Sequence, residues 1–220
     1  SLRRDEPTSD ESLDKLPISG EVNGEWQTFP DAAALDEALN TEPAPEPAGN
    51  FHITDDDLGI GGPKQKYARN IEAIRTLFQL EQEHRGATAE EQQVLSQYVG
   101  WGGLADAFNP GKDSWAKEYA ELKGLLSEDE YAAARSSTLN AHYTSPVVIR
   151  SIYDAVEKMG FQSGNILEPS MGAGNFFGML PTSMADSRLY GVELDSITGR
   201  IAKKLYPQAD ITVAGFETTD

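Results

Sequence analysis

A short glycine-rich segment, Gly172-Ala173-Gly174, is flanked by two acidic residues at informative positions. Glu168 precedes Gly172 by four residues, and Glu193 follows Gly174 by 19 residues. A carboxylate beside such a loop repels a pyrophosphate and attracts a cation such as a sulfonium or an ammonium. A second carboxylate about 20 residues beyond the loop accepts hydrogen bonds from ribose hydroxyls in nucleotide sites. The expected ligand is a nucleoside with a positively charged tail, which describes S-adenosylmethionine (SAM).

A nicotinamide dinucleotide is the alternative ligand. The glycines at 172, 174 and 178 also have a dinucleotide-like spacing, and a glycine pattern alone distinguishes little. The two carboxylates favour SAM over the dinucleotide, because a dinucleotide brings a negatively charged pyrophosphate to this loop.

The elements that must position these residues begin near residue 140. Ser145-Pro146 starts a helical pattern that ends at Gly160, and buried-strand patterns follow at 165–167, 188–195 and 209–216. The order predicts an α/β fold, namely a Rossmann-like βαβαβ half-sheet with parallel strands in the spatial order 3-2-1. We assign 140–220 to this half-sheet.

The preceding residues, 51–139, have the three- and four-residue apolar spacing of helices. Capping patterns and glycine stops predict four helices, at 63–84, at 89–98, from Asp113 and from Ser127 to about Ser136. The segment 98–108, YVGWGGLADAF, is predicted to be an irregular turn in which Trp101 is a packing anchor. This region is therefore a small all-helical unit.

The first 50 residues differ sharply in composition from the rest. Residues 1–57 hold 15 acids and three bases, and TEPAPEPAGN at 41–50 alternates proline with small and acidic residues. Such a segment buries little apolar surface, so 1–50 is predicted to be a mostly disordered acidic leader. Its apolar residues permit one short docking helix that includes Trp26, Phe29, Leu35 and Leu39.

Composition excludes several classes of protein. The chain has no cysteine, three scattered histidines and a net charge of −18, which argue against a disulfide scaffold, a metal site and a nucleic-acid coat protein. No apolar run approaches the roughly 20 residues that cross a membrane, and no signal peptide begins the chain. We therefore expect a soluble protein of the cytoplasm without membrane partners. The cationic triplet Arg200, Lys203 and Lys204 is expected to be a solvated helix face.

Three motifs resemble those of the DNA N6-adenine and N4-cytosine aminomethyltransferases. EPSMGAGNF at 168–176 resembles motif I, HYTSP at 142–146 resembles motif X, and GVELD at 191–195 resembles motif II, in an order that this family uses. The resemblance implies SAM as cofactor, with these residues forming its site: Tyr143, Thr144, Pro146, Glu168, Pro169, Gly172, Gly174, Asn175, Glu193 and Phe216.

The resemblance also assigns roles to these residues. Thr144 and Pro146 line the methionine end of SAM, Glu168 meets the ammonium and Glu193 holds the ribose. Gly172 and Gly174 lie under the cofactor, and their backbone N–H groups are expected to donate hydrogen bonds to it.

A second resemblance covers residues 51–108. ITDDDLGIGGPKQKYARNIEAIRTL and QYVGWGGL resemble the segment before the methylase domain of very large methylase–helicase proteins from phages and mobile elements, which include phage anti-restriction proteins. It implies a linked or associated helicase and DNA contacts made by regions outside this chain. The expected location is the cytoplasm of a bacterial host, or the virion of a phage.

Two departures from the family limit the expected activity. Gly215-Phe216 replaces the usual Asp-Phe after the third strand, and no (Asp/Asn)-Pro-Pro-(Tyr/Phe) loop occurs in the chain. That loop holds the flipped target base, so we expect no catalytic residue in this chain and an N-terminal fragment that is inactive alone. The alternative function is a non-catalytic protein-interaction module with a degenerate methyltransferase fold.

Overall fold

The chain divides into two units, which adjoin in sequence at Pro45 and Glu46. The computed structural model describes residues 17–22, 24–40, 46–55, 59–139 and 143–219. No helix within these stretches is long and apolar enough to cross a membrane.

The described residues of the first unit form two paired strands and one helix. Strands β1 (Ile18–Val22) and β2 (Glu25–Phe29) pair antiparallel, and helix α1 (Ala32–Asn40) follows them. The Asp31 carboxylate accepts a hydrogen bond from the Ala34 backbone N–H at 2.8 Å. Such side-chain capping stabilises the start of a helix.

Within residues 18–40, these elements differ from the prediction of a mostly disordered leader over 1–50. Trp26 and Phe29 lie on β2 rather than on a docking helix, whereas Leu35 and Leu39 do lie on α1. The average composition of the acidic and proline-rich residues conceals the Asn-Gly pair at 23–24, which is a strong hairpin signal. Residues 1–16 and 41–45 are outside the described part of the chain.

The helical region has the predicted helices. Within 59–139, all of which the structure describes, the α-helices are α2 (Pro63–Gln82), α3 (Ala89–Leu95), α4 (Ala116–Leu125) and α5 (Glu128–Ser137). The predicted capping boxes at the starts of α3 and α5 are both present, on Thr88 and Ser127. Each box satisfies backbone N–H groups that would otherwise lack acceptors.

The αβ region has the predicted parallel sheet. Helix α6 (Pro146–Lys158) precedes it, and the order along the chain is β3 (Asn165–Glu168), α7 (Asn175–Gly178), β4 (Arg188–Glu193), α8 (Ser196–Leu205) and β5 (Asp210–Val213). The strands are parallel, and β4 lies between β3 and β5. This arrangement confirms a mixed α/β chain with a three-stranded parallel sheet.

The connection after the glycine loop contains less helix than predicted. Helix α7 is a single turn that ends at Gly178, and a short 3-10 segment follows at 182–184. Any side chain at Gly178 would collide with Ile53 and Tyr206, so packing requires glycine here. Glycine and the nearby Pro181 both disfavour a longer helix.

One hydrophobic core joins the helical region to the half-sheet. Side chains from α2, such as Ile74 and Leu77, belong to the same buried cluster as Ile201 and Leu205 of α8. Trp101 is only 1% exposed and meets Phe108 edge-on at 5.3 Å, which confirms its predicted role as a packing anchor. The two predicted regions therefore form a single unit, Glu46–Asp220.

Polar contacts also cross between these regions. Arg200 of α8 donates to Glu81 at 2.5 and 2.8 Å and to Glu130 at 2.6 Å. Lys204 Nζ donates to the Arg85 carbonyl at 2.5 Å. The expectation of a solvated cationic face is therefore wrong for Arg200 and Lys204, because carboxylates and a carbonyl of the helical region lie opposite α8.

The segment 46–53 belongs to this second unit rather than to the leader. The Phe51 N–H donates to the Leu205 carbonyl and the Ile53 N–H to the Gly178 carbonyl, both at 2.8 Å. The buried Gln92 side chain donates to the Gly49 carbonyl at 2.7 Å. These bonds place the predicted boundary at residue 50 too late in the chain.

Candidate cofactor site

Glu168 and Glu193 lie at the carboxyl ends of adjacent parallel strands. Glu168 is the last residue of β3, opposite Gly191 of β4, and Glu193 is the last residue of β4. Parallel strands bring such ends to one edge of the sheet, which is where ligands bind in open α/β folds. The structure therefore brings together the two carboxylates that the sequence singled out.

The Glu168 carboxylate is half-buried and unpaired. Within the described residues it accepts no hydrogen bond and forms no ion pair, and burial raises its pKa above the ordinary value. Tyr153 is near enough that its own pKa is raised by burial and, secondarily, by the charge of Glu168. The Tyr153 hydroxyl donates to the Phe176 carbonyl at 2.7 Å, so it does not serve as the hydrogen-bond partner of Glu168.

The Glu193 carboxylate, in contrast, accepts hydrogen bonds from two backbone N–H groups. Its Oε2 accepts a hydrogen bond from the Gly172 N–H at 2.8 Å, and its Oε1 accepts one from the Asp195 N–H at 2.9 Å. A carboxylate has about four lone-pair positions, so two remain for other donors such as ribose hydroxyls.

The glycine loop has left-handed backbone at two positions, Gly172 with φ +56° and Gly174 with φ +87°. The Gly174 N–H donates to the Met171 carbonyl at 2.9 Å, and the Gly172 N–H is held by Glu193. Both N–H groups therefore have acceptors inside the protein. The prediction that they donate to a cofactor does not agree with this arrangement, because the loop uses them to fix its own shape.

Tyr143 lies between two glycines from different regions. A Cβ atom at Gly172 would lie 3.0 Å from its ring, and one at Gly100 would lie 2.9 Å from it. Burial raises the pKa of Tyr143, and the charges of Glu193 and Asp195 raise it further. Glycine at 100 and 172 therefore lets this ring lie close to both the YVGWGG turn and the glycine loop.

A cavity of about 470 Å³ opens beside this ring. Four predicted cofactor residues line it, namely Tyr143, Thr144, Pro146 and Asn175. The remaining predicted residues, Glu168, Pro169, Gly172, Gly174, Glu193 and Phe216, are not among its lining residues. Pro169 is exposed, and Phe216 is 49% exposed just after β5. The predicted site therefore has two parts, a strand edge with the carboxylates and a cavity.

The other walls of the cavity come from the helical region, which the sequence did not assign to the site. They include Lys66 of α2, the buried Tyr98, and Gly102 and Gly103 of the turn. The three glycines around Trp101 were a signal, since Gly100 and Gly103 have φ of +67° and +74°. These glycines predicted a tight turn, but they did not indicate that the turn would line a cavity.

Comparison with known proteins gives one distant relative, the "Defense against restriction protein B" of Escherichia phage P1. It is 25% identical to this chain over 130 residues, which is 59% of this chain and 4% of the relative. No family model matches the chain, and no solved structure matches it significantly. The chain is thus distantly similar to a small part of a phage anti-restriction protein.

Proposed function

We propose that this chain is the SAM-binding portion of a DNA adenine-N6 methyltransferase within a larger phage or mobile-element methylase–helicase protein. One observation carries the proposal: a half-buried, unpaired carboxylate, Glu168, ends one strand beside a left-handed glycine loop, and a second carboxylate, Glu193, ends the next strand. The sulfonium and the ammonium of SAM supply the positively charged partner that Glu168 lacks. The ribose of SAM supplies hydroxyl donors for Glu193.

The charge of Glu168 favours SAM over a dinucleotide. Placing a pyrophosphate beside an unpaired carboxylate costs free energy, whereas a cation there recovers part of the desolvation that raises the pKa of Glu168. Charge-assisted hydrogen bonds of this kind are worth about 1.5–3 kcal/mol.

Transfer of the methyl group requires residues outside this chain. The sequence holds no (Asp/Asn)-Pro-Pro-(Tyr/Phe) loop to receive the target adenine, and its net charge of −18 opposes phosphate binding. The chain therefore binds cofactor and leaves DNA contacts and strand separation to other parts of the larger protein. Methylating adenines of the incoming DNA would protect it from restriction, in keeping with the similarity to a defense-against-restriction protein.

A non-catalytic interaction module is the second candidate. It is favoured by Glu193, whose two oxygens already serve the backbone, and by the exposed apolar residues Val148 and Ile152 of α6 and Leu167 of β3. In that case Glu193 is a structural residue, and these apolar side chains contact another protein.

Titration calorimetry separates the candidates. We expect SAM and S-adenosylhomocysteine to bind and NAD to produce no heat. Glu168→Gln should weaken SAM about 10- to 150-fold, whereas Glu72→Gln, at an exposed position of α2, should not change affinity. Binding of NAD, or no binding of SAM even to a longer chain that continues beyond Asp220, contradicts the methyltransferase proposal and favours the interaction module.

A further inference from the structure

Lys66 of α2 lines the 470 Å³ cavity together with Thr144 and Asn175. Its side chain is half-buried, and within the described residues its ammonium forms no ion pair and donates no hydrogen bond. The neighbouring Lys64, on the same helix turn, pairs with Glu118 at 2.6 Å and lies over the Trp115 ring. Lys66 thus stands out from its neighbour as a cation without an anion.

Four of the nine basic side chains within 59–139 form ion pairs: Lys64 as above, Arg75 with Glu121, Arg85 with Glu91 and Lys112 with Asp106. Of the other five, Lys117, Lys123 and Arg135 are exposed and Arg69 donates to the Ile60 carbonyl, so Lys66 is the half-buried base of this stretch without a polar partner among the described residues. The chain carries 36 acids against 18 bases, so acidic partners are plentiful. A half-buried ammonium without one has lost hydration that an anionic ligand would replace.

The groups around Lys66 suit an oxyanion. Thr144 and Ser145 are exposed residues that line the same cavity and carry hydroxyl groups, and the Ser145 side chain makes no capping bond to α6 although it occupies the N-cap position. Two hydroxyl donors beside an ammonium are a common set for holding a carboxylate or a phosphate.

The same cavity has an apolar wall for an alkyl chain. Tyr98, Val99, Tyr143 and Pro146 supply it, and the volume is within the range of about 300–1,000 Å³ usual for small-molecule sites. The cavity adjoins the glycine loop that follows Glu168, because its lining residue Asn175 directly follows Gly174 and the ring of its lining residue Tyr143 lies beside Gly172.

We propose that Lys66, with the hydroxyls of Thr144 and Ser145, binds the α-carboxylate of SAM, while Glu168 binds its α-ammonium. The inference rests on the proposed SAM binding and adds to it a residue from the helical region. An amino-acid zwitterion needs a cation and an anion on opposite sides, and Lys66 and Glu168 provide both. The helical region is therefore part of the cofactor site rather than a separate module.

The test compares SAM with decarboxylated SAM, which lacks only the carboxylate. Wild-type protein, as a chain extended beyond Asp220 if needed, should bind SAM at least about tenfold more tightly than the decarboxylated ligand. Lys66→Met should weaken SAM by about 10- to 150-fold and change the affinity for decarboxylated SAM by less than about twofold. Lys117→Met, which removes an exposed lysine from α4, is the matched control and should leave both affinities unchanged.

Each outcome decides something different. If Lys66→Met weakens both ligands equally, or neither, the carboxylate assignment is wrong while SAM binding stands. If wild-type protein binds neither ligand, the proposed function fails and this inference fails with it. Adenosine 5′-monophosphate binding that depends on Lys66 and exceeds SAM binding would make the cavity a phosphate site instead. Should Lys66→Met fail to fold, as judged by thermal unfolding, Lys66→Gln takes its place in the same comparison of SAM with the decarboxylated ligand, and the same outcomes apply.

Discussion

Two neighbouring strand ends carry the same residue type and use it in opposite ways. Glu193, at the end of β4, accepts two backbone hydrogen bonds and holds the glycine loop in place. Glu168, at the end of β3, is half-buried, has no partner among the described residues and has a raised pKa. The first carboxylate contributes to the shape of the site, and the second remains available to a ligand.

The helices beside the two strands also differ, because one is bonded to the helical region and the other leaves apolar side chains exposed. Helix α8, which follows β4, is joined to the helical region by Arg200, by Lys204 and by the shared core. Helix α6, which precedes β3, leaves Val147, Val148 and Ile152 exposed, and Leu167 of β3 is 53% exposed. One side of the sheet is thus tightly bonded within this chain, and the other presents apolar surface.

The largest expected effect tests the structural role of Glu193. Glu193→Ala should lower the free energy of unfolding by about 3–5 kcal/mol, because two hydrogen bonds to a charged acceptor are lost and their donors are left unpaired. Glu168→Ala should change it by less than about 0.5 kcal/mol or stabilise the protein, since no bond is lost. Urea unfolding monitored by circular dichroism measures both, and equal losses would remove the distinction between the strand ends.

The next effect concerns the bonded flank. Arg200→Met should destabilise the protein by about 2–3 kcal/mol, because it leaves the part-buried Glu81 and Glu130 without their cation. Lys203→Met removes an exposed charge from the same helix and should cost less than about 0.5 kcal/mol. A similar Tm for both variants would mean that the ion pairs do not anchor α8.

A pH titration probes the free carboxylate. Because burial raises the pKa of Glu168, its negative charge disappears at a higher pH than for an ordinary glutamate. SAM affinity should fall as pH decreases through that raised pKa, approaching tenfold per pH unit, or about 1.4 kcal/mol. Glu168→Gln should bind SAM weakly and without this dependence.

The free energy of unfolding should depend on the ionisation of Glu168 in the opposite direction to SAM affinity, because it should fall as pH rises. A raised folded-state pKa favours folding while Glu168 is protonated, below its unfolded pKa, and this contribution is lost as pH rises through the folded pKa. Wild type should therefore lose stability relative to Glu168→Gln over that interval. A constant difference between the two proteins would show that Glu168 is not buried enough to matter.

The smallest effect is expected on the exposed flank. Ile152→Ser, at a position that is 42% exposed on α6, should change the free energy of unfolding by less than about 1 kcal/mol. If these side chains contact further protein, the same substitution should cost more in a chain extended beyond Asp220 than in the present one. Thermal unfolding of both lengths gives the comparison, and equal costs would argue against such contact.

Much of this architecture was accessible from local sequence patterns. Apolar spacing and capping boxes predicted α2, α3 and α5, and the alternation of strand and helix patterns predicted the parallel order of β3, β4 and β5. The chain direction of parallel strands then required Glu168 and Glu193 to share one edge. The hairpin at 18–29 was missed because its acidic surroundings outweighed a two-residue turn signal.

The amino-acid sequence by itself thus determined most elements of the second unit, their order and the edge where chemistry is expected, because these depend on contacts between residues near in the chain or on strand direction. Only the tertiary structure decided that Glu193 holds the Gly172 N–H, that Tyr143 contacts Gly100, and that Lys66 faces the same cavity as Asn175. These pairs are 21 to 109 residues apart. Their contact follows from how the helical region packs on the half-sheet, which no local periodicity records.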